Sequence, residues 1–364
     1  MTKLHDLHAV GQSVWLDFIR RDLLRSGELD RLVTEGVRGL TSNPTIFQQA
    51  IAGSEEYDDQ IRSIIASDAS TPTEAVFEEL AVADIAGAAD ALRGVYDAAD
   101  GADGFVSLEV SPHLAHDTDA TVSEALRLWR WVDRPNLMIK VPATPAGIPA
   151  IEELIAAGLN INVTLLFALD NYIEVAHAYL RGLARADDPA RVASVASFFV
   201  SRVDSKTDAA LEKIGSEEAM ALMGKAAVAN AKLAYRHFRS IFGSDAFAEQ
   251  QTRGARPQRV LWASTSTKNP AYPDVLYVDT LVGSETVNTM PPATIDAFRD
   301  HGVVDGDALD SGLDAADDEM AAIAALGVDI DEITRELQDE GVKKFADSFD
   351  DLLATLSDKI EALR

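Results

Sequence analysis

The chain has 364 residues, 47 % of them hydrophobic and 25 % charged, a globular composition with enough apolar material to fill a sizeable core. Its net charge of −28 argues against a nucleic-acid backbone or an anionic membrane as the main partner. The absence of cysteine excludes disulfides, thiolate metal sites and a cysteine nucleophile. The opening MTKLHDLHAV has no apolar run of the secretory kind, and no stretch approaches the ~18 apolar residues of a membrane span, which suits a cytoplasmic protein.

A short helical start leads into residues 13–18, which read as a strand with Asp17 near its end. Residues 23–32 read as a helix and 36–40 as a second strand, followed at once by Thr41-Ser42-Asn43-Pro44. A mostly helical stretch runs from about 45 to 100, and 105–110 is strand-like. Thr121-x-x-Glu124 has the form of a capping box and predicts a helix that starts there. Residues 136–141 form an apolar run interrupted by Lys140, 148–157 read as helix and 159–166 as strand. Helix at 171–185, a long strand at 193–203 and a helix or pair of helices over 216–242 follow, then short strands at 260–263 and 275–277. The acidic tail from about 315 is helical, with Phe345, Phe349, Leu352, Leu353, Leu356 and Ile360 on one face.

Eight apolar strands alternating with helices predict a parallel sheet buried on both faces. Their number and spacing favour an α/β fold of the (β/α)8 TIM-barrel type, with extra N-terminal and C-terminal helices, over an open doubly wound sheet. No Gly-rich phosphate turn of the open-sheet or P-loop type is present. The expectation is one barrel domain over residues 1–364.

In such a barrel the C-terminal strand ends face the active site. Polar residues fall there with unusual regularity: Asp17, Asn43, Glu109, Lys140, Asn162 with Thr164, Ser197 with Arg202, and Ser264 with Lys268. The eighth strand end, near Asp279-Thr280, is ambiguous. A lysine within the apolar strand Leu137-Met138-Ile139-Lys140-Val141-Pro142 has its ammonium form disfavoured by burial. The neutral amine is a nucleophile that forms imines with carbonyls. The competing reading is a structural ion pair with Glu109 or Asp17. Those two carboxylates could share the proton transfers that imine chemistry needs, or serve as caps and salt bridges. Arg202 and Lys268, beside a hydroxyl-rich loop, are phosphate candidates, against the plainer reading of a solvated loop. His113-x-x-His116 lacks a third ligand at recognisable spacing, so no metal is expected.

The segments GLTSNPTIF at 39–47, SLEV at 107–110, MIKVPAT at 138–144, GLNINVTLLF at 158–167, SFFVSRVD at 197–204 and VLWAS at 260–264 resemble those of the transaldolases, in the family's order and along nearly the whole chain. The resemblance implies a Schiff-base mechanism without cofactor or metal. It implies transfer of a dihydroxyacetone unit from sedoheptulose 7-phosphate to glyceraldehyde 3-phosphate, in the pentose phosphate pathway. It implies that Lys140 forms the imine, that Asp17 is the acid/base at the C4 hydroxyl, and that Glu109 and Thr164 handle the catalytic water. Asn43, Asn162 and Ser197 would hold substrate hydroxyls, Phe199 would wall the imine, and Arg202 with Ser264 would bind phosphate. The family's second phosphate arginine is replaced here by Ser266, with Lys268 as the next cation. The expected partners are phosphorylated sugars, neither nucleic acid nor membrane, with the chain a monomer or homodimer. The alternatives are an aldolase of the fructose 6-phosphate type and a non-catalytic barrel that binds sugar phosphates.

Overall fold

Eight parallel strands pair in chain order: β1 (Gln12–Asp17), β2 (Val37–Thr41), β3 (Val106–Glu109), β4 (Leu137–Pro142), β5 (Ile161–Leu166), β6 (Ser194–Phe199), β7 (Arg259–Ala263) and β8 (Thr286–Met290). β1 also pairs with β8, Trp15 opposite Thr289, so the sheet closes into a barrel. Helices follow the strands on the outside, one helix (Lys3–Ala9) precedes β1, and a long helix (Ile330–Leu363) ends the chain. The architecture is a (β/α)8 TIM barrel, seen in a computed structural model that describes residues 2–304, 306 and 308–364. Among the described residues no helix is long and apolar enough to cross a membrane.

The strands are apolar because both faces are covered, the inner by barrel side chains and the outer by helices. β4, β5 and β6 are buried at every position. The register sets Glu109 opposite Lys140, and Lys140 opposite Asn162, so three polar side chains of β3, β4 and β5 stand side by side.

Four sequence expectations need correction. The eighth strand is not at 275–277: that run enters the short helix Leu276–Asp279, and β8 is Thr286–Met290. β8 escapes an apolar-run search because it carries Thr286, Asn288 and Thr289. The barrel tolerates them because they find partners inside, Gln12 Nε2 donating to Thr286 Oγ1 at 3.0 Å and Asn288 Nδ2 to the Tyr277 carbonyl at 3.3 Å. The strand expected over 193–203 stops at Phe199, and a helix (Ser201–Ile214) starts two residues later. The helix expected from Thr121 begins at Thr118 instead. Asp117 caps it, accepting from the Ala120 N–H at 2.9 Å, while the Thr121 hydroxyl donates to the Leu114 carbonyl. The helix expected over 23–32 is two, Arg21–Arg25 and Glu28–Glu35, parted at Gly27, whose φ of +77° suits glycine best.

The tail is helical as expected, in Leu313–Ala325 and Ile330–Leu363. The longer helix buries Phe345, Phe349, Leu352, Leu356 and Ile360, with Leu353 half-buried. It lies against the C-terminal ends of the strands. Gln338 Nε2 donates to the Ala143 carbonyl after β4, at 2.9 Å, and to the Leu165 carbonyl of β5, at 3.1 Å. Thr45 Oγ1 donates to Ser348 Oγ at 2.9 Å.

Candidate active site

Lys140 points from β4 into the C-terminal end of the barrel and is only 5 % exposed. Its Nζ lies 3.2 Å from Glu109 Oε2, across the β3–β4 register, and donates to the Ser42 carbonyl at 2.9 Å. Ser42 is held in turn by its own hydroxyl, which donates to the Ser107 carbonyl at 2.7 Å. The next residue, Asn43, caps the helix Pro44–Ala52, its Oδ1 accepting from the Ile46 N–H at 2.9 Å. That cap leaves the Asn43 amide nitrogen as its remaining donor.

Asp17 closes β1 and accepts from the Thr41 hydroxyl at 2.7 Å, and that hydroxyl is 2.8 Å from Thr289 Oγ1. Burial pushes the Asp17 carboxyl above its ordinary pKa, with Lys140, the Thr41 hydroxyl and Lys268 pulling the other way. Burial likewise pushes Glu109 up, Lys140 opposes this, and the nearby Asp17 charge adds to it. Two buried carboxylates close together cannot both be charged cheaply in a low dielectric, which is why both are pushed up.

Asn162 lies deeper, fully buried, donating to Ser107 Oγ at 3.0 Å and accepting from Ser197 Oγ at 2.7 Å. The Thr164 hydroxyl is buried and has no hydrogen-bond partner among the described residues. Such groups are uncommon in folded proteins, and this one lines the cavity.

Above this floor the side chains turn cationic. Arg202 is the second residue of the helix Ser201–Ile214, with its guanidinium over the Phe199 ring at 5.4 Å. Burial lowers its pKa. Ser264 follows β7 with φ of +58°, a left-handed conformation unusual for serine, and its hydroxyl is 2.9 Å from that of Ser201. Leu165, after Thr164, has the same φ of +58°. Strain of this kind, about 1 kcal/mol or more per residue, persists where surrounding contacts fix it, and it concentrates at functional sites. Lys268 Nζ donates to Ser266 Oγ at 2.7 Å.

These groups surround one cavity of about 570 Å³. Asp17, Asn43, Lys140 and Thr164 line its floor and one side, while Ser197, Phe199, Arg202, Ser264 and Lys268 complete the wall. Glu109 and Asn162 stand behind the wall and meet the cavity through Lys140 and Ser197. Every residue singled out at the first seven strand ends thus belongs to this one cluster, whereas Asp279 and Thr280 lie at the end of a short helix outside it. His113 and His116 do not belong to it either; both are exposed, and His113 Nε2 meets Asp350 Oδ1 at 2.8 Å.

Five contributors were not visible in the sequence. Thr41, Ser42 and Thr289 position Asp17 and Lys140. Lys344 and Phe345 enter the cavity from the terminal helix, the Phe345 ring lying 5.9 Å from Lys140 Nζ. The tail's periodicity puts Phe345 on its apolar face, but does not place either residue in the site, because the helix reaches the barrel only in the folded chain.

Fold and site together define an α/β barrel with a buried lysine–carboxylate centre beneath a cationic mouth. The family model described as transaldolase/fructose-6-phosphate aldolase matches residues 14–356. A transaldolase of Frankia alni is 51 % identical over 98 % of this chain and 97 % of its own length. A transaldolase of Mycolicibacterium smegmatis is 48 % identical over the same shares, and transaldolase 1 of Streptomyces coelicolor is 50 % identical over 97 % of this chain and 93 % of its own. The chain belongs to the transaldolase/fructose-6-phosphate aldolase family and is an enzyme of the transferase class.

Proposed function

We propose that the protein moves a dihydroxyacetone unit from sedoheptulose 7-phosphate to glyceraldehyde 3-phosphate, yielding erythrose 4-phosphate and fructose 6-phosphate, through an imine on Lys140. The observation that carries this reading is the buried Lys140 Nζ 3.2 Å from Glu109 at the base of a cavity with a cationic mouth. Glu109, its carboxyl pushed up by burial, accepts the lysine proton. The free amine adds to the C2 carbonyl of the ketose, and the carbinolamine loses water to give the imine. Glu109 and Thr164 hold that water and later return it for hydrolysis; the unpartnered Thr164 hydroxyl supports such a role.

Asp17 takes the C4 hydroxyl proton as the C3–C4 bond breaks. The bond's electrons pass to the imine, leaving an enamine on Lys140, and erythrose 4-phosphate departs. The enamine carbon then attacks the aldehyde of glyceraldehyde 3-phosphate, and Asp17 returns the proton to the new hydroxyl. Hydrolysis of the imine frees fructose 6-phosphate and the lysine. Asn43, Asn162 and Ser197 hold the substrate hydroxyls. The Phe199 and Phe345 rings keep water away from the enamine, which favours transfer to an aldehyde over release of free dihydroxyacetone. Arg202, Ser264 and Lys268 bind phosphate. The barrel and its tail act as one catalytic unit, within the non-oxidative pentose phosphate pathway of the cytoplasm.

Trapping tests the scheme directly. Incubation with fructose 6-phosphate, borohydride reduction and peptide mass spectrometry will find a three-carbon adduct on Lys140. An unmodified Lys140 in folded protein that binds the sugar phosphate would refute the imine mechanism.

A further inference from the structure

The protein carries a net charge of −28, and most of its described cations meet acids. Lys343 pairs with Asp347 at 2.6 Å, and Lys206 pairs with Glu336 and Glu340, each at 2.6 Å. Lys344, in the same stretch of helix, does otherwise: it is exposed to solvent and lines the cavity. Among the described residues no hydrogen bond or ion pair engages either the Lys344 ammonium or the Arg202 guanidinium. Lys268, the third cation, is held only by a serine hydroxyl. Its ammonium is disfavoured by burial and then by Arg202 and Lys344, while only Asp17 favours it. Three cations gathered in one half-buried mouth repel one another, and an anion between them relieves that repulsion.

The helix is brought close by specific contacts. A side chain at Gly341, one turn before Lys344, would put its Cβ 2.8 Å from Leu165 Cδ2 and 3.7 Å from Arg202 Nη1. The helix therefore packs directly on the Leu165 side chain and beside Arg202 at this glycine. Gln338 fixes the preceding turn to the carbonyls of Ala143 and Leu165. The contacts that seat the helix therefore also aim Lys344 at the other two cations.

We propose that Lys344, supplied by a helix outside the barrel, is the third cation of the anion site and grips the substrate phosphate together with Arg202 and Lys268. The proposal rests on the sugar-phosphate reading above and extends it, making the terminal helix part of substrate recognition. Lysine suits this place because its long stem reaches across the helix–barrel gap and delivers a point charge without fixed geometry.

The test uses full-length wild type, Lys344→Met, which keeps the stem and removes the charge, and Lys344→Arg. Inorganic phosphate binding is measured by calorimetry, KM and kcat with fructose 6-phosphate as donor, and Lys140 adduct formation by borohydride trapping. Loss of one charge-assisted contact predicts phosphate binding weaker by about tenfold in Lys344→Met. KM is expected to rise by a similar factor with kcat changed far less, and Lys344→Arg is expected to recover most of both. Wild-type phosphate affinity and KM in Lys344→Met, with the adduct still forming, overturn the proposal, as does wild type that binds no phosphate. Absence of the Lys140 adduct in wild type strikes the imine reading instead, and phosphate binding lost in Lys344→Met would stand beside it.

Discussion

At the N-terminal end of the strands, Asp103 accepts from Trp15 Nε1 at 2.9 Å and from the Ser13 hydroxyl, and Arg259 closes the group by donating to Ser13 Oγ at 2.9 Å. At the C-terminal end, Asp17 and Lys140 face a cavity with Glu109 behind them, and among the described residues no ion pair engages Arg202 or Lys344, although the Glu340 charge favours the Arg202 cation. Both ends bury charge in the same barrel. The Asp103 group pairs its polar atoms within the protein and so serves stability; the other cluster leaves the Thr164 hydroxyl unpartnered and its carboxyls shifted, which suits a ligand that supplies the missing partners.

That contrast can be broken from either side. The largest expected effect is at the open end. Lys140→Met should lower kcat/KM by about 10³-fold or more, because the nucleophile is lost. Its unfolding free energy should stay within about 1 kcal/mol of wild type, since Glu109, already pushed up by burial, can take a proton when its cation goes. A urea midpoint that collapses along with activity would mean the cluster is structural after all.

The closed end should answer in the opposite way. Asp103→Ala strands the Trp15 N–H, the Ser13 hydroxyl and the Arg259 guanidinium, and should cost about 3 kcal/mol in urea unfolding. The folded fraction should keep its kcat, because the site lies at the other end of the strands. Loss of kcat without loss of stability would erase the distinction between the ends.

The smallest effect sharpens the comparison. Asp204 lies on the helix that carries Arg202, yet it is satisfied in the manner of the Asp103 group, accepting from Tyr277 Oη at 2.7 Å and from the Ala227 N–H at 2.7 Å. Burial pushes its carboxyl up to about 6. A raised carboxyl contributes stability that is fully present below its unfolded value, near about pH 4, and is lost as pH rises through the folded value. Compared with Asp204→Asn, wild type should therefore lose stability between about pH 4 and 6, with no further divergence above. Denaturation series at stepped pH would show parallel profiles if the group titrates normally.

Much of this was legible in advance. Seven strands, the barrel class and the polar residues at the strand ends follow from local pattern, because a parallel strand buried on both faces must be apolar and its exceptions stand out. Lys140 is conspicuous for that reason. β8 was not legible, since Thr286, Asn288 and Thr289 imitate a loop until Gln12 and the Tyr277 carbonyl are known to meet two of them. The run at 275–277 imitates a strand until Tyr277 is seen to reach Asp204 from a helix. The end of β6 was overrun because an apolar stretch reads alike as buried strand or as the first turn of a packed helix.

The sequence by itself determined the alternation of strand and helix, the placing of Asp17, Glu109, Lys140, Thr164 and Arg202 at one end of the barrel, and the absence of thiol chemistry. These are short-range properties, carried by side-chain period and composition. Only the tertiary structure decided that Ser42 offers its carbonyl to Lys140, that Thr41 holds Asp17, and that Lys344 and Phe345 enter the cavity. Those contacts join residues far apart in the chain, and Lys344 lies 204 positions beyond Lys140. No local preference encodes such a meeting; it arises because the terminal helix buries its apolar face against the barrel.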